Sequence, residues 1–74
     1  MDHRRWLERY AEALGVARPT DAEVEAVLEL AAEAAHASER PAAPVACWLA
    51  ARAGVDPDRA LELARGLAGE APGA

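Results

Sequence analysis

Apolar residues recur at helical spacing through most of this chain, and the breaks in that pattern divide it into four pieces. In the first, Trp6, Leu7, Tyr10 and Leu14 share a face while Arg5, Glu8, Arg9 and Glu12 fall opposite. This predicts a helix over about residues 3–14, with Gly15 as its left-handed stop. "TDAE" at 20–23 has the form of a capping box, with Thr20 as N-cap and Glu23 reaching back. A second helix is expected from there to about Ala37. Val24, Val27, Leu28, Leu30, Ala31, Ala34 and Ala35 form its apolar arc, and Glu25, Glu29 and Glu33 read as a solvated acidic face.

The third piece, "PVACWLAA" at 44–51, carries no charge until Arg52. Pro44 suits a first helical position, because its missing N–H has no partner there. The helix is expected to run from Pro44 to about Ala53, with Gly54 beyond it. A helix apolar on all sides is either central to a bundle or part of an interface. "DPD" at 56–58 opens the last helix, with Asp56 as cap and Pro57 first. Leu61, Leu63, Ala64, Leu67 and Ala68 are expected to face inward, and Asp58, Glu62 and Arg65 outward.

Short connections favour antiparallel neighbours. The expected fold is therefore all-α, a small four-helix bundle in a single domain over residues 1–69, with a disordered tail at 70–74. Its large core candidates are Trp6, Leu7, Tyr10, Leu14, Val24, Val27, Leu28, Leu30, Val45, Trp48, Leu49, Leu61, Leu63 and Leu67. The rest of the interior is mainly alanine, which buries little area. A 74-residue chain with so thin a core is expected to be supplemented by self-association or by a partner protein.

Composition narrows the chemistry. A net charge of −5 argues against nucleic acid and against an anionic membrane surface. No apolar run reaches bilayer length, and no signal-peptide core follows "MDHRRWLERY", so a soluble cytoplasmic protein is expected. Cys47 is the single cysteine, which excludes an intrachain disulfide and a thiolate cluster. The chain has no Lys, so it has neither a Schiff-base lysine nor a P-loop. Ser38, Thr20 and Tyr10 are its only side-chain hydroxyls, and "ASER" lacks the glycines of a nucleophile elbow. No enzymatic activity, cofactor or metal is expected. Bringing His3, His36 and Cys47 together on a metal would have no ligand-spacing motif behind it.

The stretch "HASERPAAPVACWLAARAG", residues 36–54, holds the interaction candidates His36, Arg40, Pro41, Pro44, Trp48 and Arg52. Ala43 is a poor N-cap, so a helix opening at Pro44 is expected to begin with unsatisfied amides at the positive end of its dipole. Water, a fold-back of Ser38 or Glu39, or an anion beside Arg40 could accept those bonds. His36 near a helix end suits charged capping, or forms an exposed recognition pair with Arg40. Arg52, one turn after Trp48, can lay its stem along the indole. Cys47 reads as a small buried hydrophobe.

The order "WLERYAEALGV", "VEAVLELAAEAAH", "ERPAAPVACWLAARAGV" and a final Leu/Ala/Arg helix resembles a family of small actinobacterial domains of unknown function. The shared block is Ala35, His36, Arg40, Pro41, Ala42, Ala43 and Pro44. Members of that family occur alone or fused to molybdenum-cofactor guanylyltransferases, often near formate dehydrogenase genes. The resemblance implies a non-catalytic accessory module docking, through residues 36–52, on a molybdenum-cofactor guanylyltransferase or a formate dehydrogenase component. A small anion- or phosphate-binding domain and a self-associating homo-oligomeric bundle are the alternatives. The guanylyltransferase's nucleotide-binding loop is absent here, so its catalysis does not carry over.

Overall fold

A computed structural model describes the backbone of residues 1–69, and the tail at 70–74 lies outside the described residues. Four helices account for it: α1 (His3–Leu14), α2 (Asp21–Ala37), α3 (Ala42–Ala53) and α4 (Pro57–Gly69), with no strand among the described residues. The chain is a small all-α bundle.

The helix ends are written in local chemistry. The Asp2 side chain accepts from the Arg5 amide at 2.8 Å and starts α1, a cap that the apolar pattern did not reveal. Gly15, at φ 75°, ends it, with the Val16 amide donating to the Ala11 carbonyl and the Gly15 amide to that of Glu12, a Schellman closure. The predicted capping box opens α2: the Glu23 amide donates to Thr20 Oγ1 at 3.1 Å, and the Thr20 amide to Glu23 Oε1 at 2.8 Å. Asp56 accepts from the Arg59 amide at 2.9 Å and starts α4 at Pro57, as expected.

The start of α3 differs from expectation. It begins at Ala42 rather than Pro44, with Pro41 at the N-cap in an αR conformation. A proline fixes φ near −65° wherever it falls, so "RPAAP" serves both prolines within one turn, at N-cap and third helical position.

The bundle is organised around α2, against which α3 and α4 both pack. Leu30, only 4% exposed, lies with Ala60 and Leu61 at the centre, surrounded by Cys47, Ala50, Val55 and Ala64. Among the described residues the remaining buried side chains are Ala11 and Ala26. Arg65 of α4 reaches Glu29 at 3.2 Å and Glu33 at 3.7 Å, so part of the acidic stripe is a clamp between α2 and α4 rather than a free face. Arg4–Asp21 at 2.8 Å ties α1 to the start of α2, and Arg18–Glu8 at 2.9 Å ties it to the connection between them.

Most expected core members are not enclosed. Leu30 and Leu61 are buried, Leu7, Val24 and Val27 are half-buried, and Trp6, Tyr10, Leu14, Leu28, Val45, Trp48, Leu49, Leu63 and Leu67 are exposed. The reason is clearest in α3, where no residue is fully buried. The residues that face inward there, Ala42, Ala43, Ala46, Cys47 and Ala50, are all small. Helix separation is set by the side chains at the contact, and a seam of small residues gives the close approach. The large residues then point away.

Candidate functional site

The outer face of α3 is the site. Val45, Trp48, Leu49 and Arg52 follow one another at helical spacing, the first three exposed by 54%, 60% and 52%. Pro44 and Ala51 extend the face, and no acidic residue lies anywhere in α3. The Arg52 guanidinium carbon sits 5.1 Å from the centroid of the Trp48 ring, within cation–π range. That pairing sets the guanidinium over one face of the indole. The expected Trp48–Arg52 contact is therefore present, at one end of an apolar stripe open to solvent.

The amides that the sequence left bare are paired. Ala42 donates to the Glu39 carbonyl at 2.9 Å and Ala43 to the Arg40 carbonyl at 3.0 Å. Pro41 and Pro44 have no N–H to offer. From the N-cap through the third helical position, each backbone nitrogen is either bonded internally or lacks a hydrogen. The sequence-based expectation of unsatisfied donors failed because it placed the helix start two residues late. An anion at this turn would have only the side chains of Arg40 and His36.

Both of those are exposed. His36 occupies the last turn of α2, where a protonated imidazole complements the helix dipole. Arg40 stands in the turn between α2 and α3 and makes no ion pair among the described residues. Cys47 lies on the inner side of α3, where its Sγ donates to the Val27 carbonyl at 3.9 Å and burial pushes its pKa up. Among the described residues no three His, Cys, Asp or Glu side chains gather as a metal site.

The sequence pattern did not reveal an apolar groove between α1 and α2. A 580 Å³ hollow runs along Met1, His3, Trp6, Leu7, Val24 and Leu28. A second, of 280 Å³, continues past Leu7 to Pro19 and Val27. The Trp6 and Tyr10 rings stack beside it with centroids 5.0 Å apart. Sequence alone places Leu28 in the apolar arc of α2, and only the placement of α1 turns its surroundings into a groove.

Fold and surface together define a small all-α bundle with an unpartnered apolar helix face. The chain belongs to the family described as "Domain of unknown function (DUF6457)", whose model matches residues 1–72. No curated protein and no solved structure matches it. Among the described residues no helix is long and apolar enough to cross a membrane.

Proposed function

We propose that this chain is a non-catalytic helical interaction module that docks through the outer face of α3. The observation that carries the reading is the exposure of Val45, Trp48 and Leu49 on a helix whose inner seam is already satisfied by small residues. Covering these three half-exposed side chains contributes roughly 3–4 kcal/mol before the costs of association. Tryptophan and arginine are the side chains that most often anchor such contacts, and here Trp48 stands at the centre of the face with Arg52 stacked on it. Catalysis has little to work with: the Thr20 hydroxyl is committed to a helix cap, and the Cys47 thiol is held protonated against a carbonyl.

The partner implied by the family resemblance is a molybdenum-cofactor guanylyltransferase or a formate dehydrogenase component, met in the cytoplasm. The test is titration calorimetry between the purified chain and each of these proteins from one organism. The reading predicts saturable binding to one of them that Trp48→Ala weakens at least tenfold. Absence of binding to both at high micromolar concentration would remove the molybdenum assignment. Binding that is indifferent to Trp48→Ala would remove α3 as the surface.

A further inference from the structure

We infer that in the free protein the outer face of α3 is closed by the same face of a second copy, so that the chain is a two-fold symmetric dimer until a partner displaces it. This rests on the reading of that face as a docking surface and names its resident occupant.

Charge selects the occupant. The chain carries a net −5, and its acids lie on other surfaces: Glu25, Glu29 and Glu33 on α2, Asp58 and Glu62 on α4, Glu8 and Glu12 on α1. α3 alone among the helices has no acidic residue, and Arg52 is its single charge. A contact through α1, α2 or α4 would have to desolvate carboxylates, whereas two copies meeting along α3 cover none. Geometry agrees. A two-fold contact must be self-complementary. An antiparallel pair of α3 helices crossing between Trp48 and Leu49 sets each Trp48 against the partner's Leu49 and each Arg52 over the partner's Val45. The arginine head stays at the rim in water. Opposed helix dipoles favour the same orientation.

The area is sufficient for a modest dimer. Val45, Trp48 and Leu49, each about half exposed, with Pro44, Ala51 and the Arg52 stem, bury on the order of 1,000 Å² in a pair, the lower bound of a specific interface. An interface at that lower bound makes a weak pair that exchanges readily.

Sedimentation velocity on the full chain, from low micromolar to submillimolar concentration, tests this. The expected result is a concentration-dependent shift from one chain to two. Leu49→Glu should hold the protein at one chain throughout, and Trp48→Ala should weaken the dimer at least tenfold. Leu67→Glu, on an exposed apolar residue of α4, should dimerise as the unaltered chain does, with far-ultraviolet circular dichroism confirming a folded helical state in each. A wild-type chain that stays single at submillimolar concentration overturns the inference, as does a dimer that survives both α3 substitutions. If that single chain still binds a molybdenum-pathway protein through Trp48, the docking reading stands and only the second copy falls. If the dimer forms through Leu49 and no such protein binds, the second copy stands without the pathway.

Discussion

Among single residues, Leu30 and Cys47 show most directly where this small protein has an interior. Leu30 is the most enclosed large side chain, and Leu30→Ala is expected to cost about 3 kcal/mol, a large part of what so small a domain has. Urea titration of that variant checks it. Burial holds the Cys47 pKa above its ordinary value near 9.0, so the folded chain keeps this proton more tightly than the unfolded chain does. The stability this contributes is complete below about pH 9 and falls away as pH rises through the raised native value. Comparing denaturation midpoints of the wild-type chain and Cys47→Ala across pH 8 to 11 should show the wild-type chain losing more. Cys47 was legible in the sequence as a small packed residue. The large aromatics were not, because apolarity alone does not say which of two apolar stripes faces inward.

The helices themselves were the most legible part, because their ends carry their own chemistry. Thr20 with Glu23, Gly15, Gly54, and Asp56 with Pro57 each mark a boundary that the structure keeps. Thr20→Ala should lower stability by about 1 kcal/mol by removing the hydroxyl that accepts from the Glu23 amide. Gly54 stands at φ 75°, with open space where a Cβ would go. Gly54→Ala is therefore expected to cost about 1 kcal/mol from backbone conformation alone, with no packing change, as thermal melts of the pair would record. The start of α3 escaped prediction for a physical reason. Its cap is a backbone turn made by the Glu39 and Arg40 carbonyls, and no side-chain signature announces such a turn.

The described residues span 43 × 24 × 18 Å, with a radius of gyration of 13.2 Å against about 11 Å for a globular chain of this length. Such proportions leave much apolar surface uncovered, and the ion pairs that join the helices do little to offset it. Arg65 with Glu29 and Glu33 is exposed, so Arg65→Ala should cost less than about 1 kcal/mol, with the difference shrinking further in high salt. The arrangement of α3 and α4 on α2, and of α1 beside its start, was beyond the reach of periodicity, since three helices with alanine-rich faces fit together in more than one order. Trp48 decides whether the outer face of α3 belongs to the fold or to a partner. Chemical denaturation of Trp48→Ala, at a concentration low enough to keep the chain single, measures this directly. A change under about 1 kcal/mol is predicted for a side chain that contributes to contacts beyond the monomer, whereas a loss of about 3–5 kcal/mol, the value for a buried tryptophan, would contradict the account.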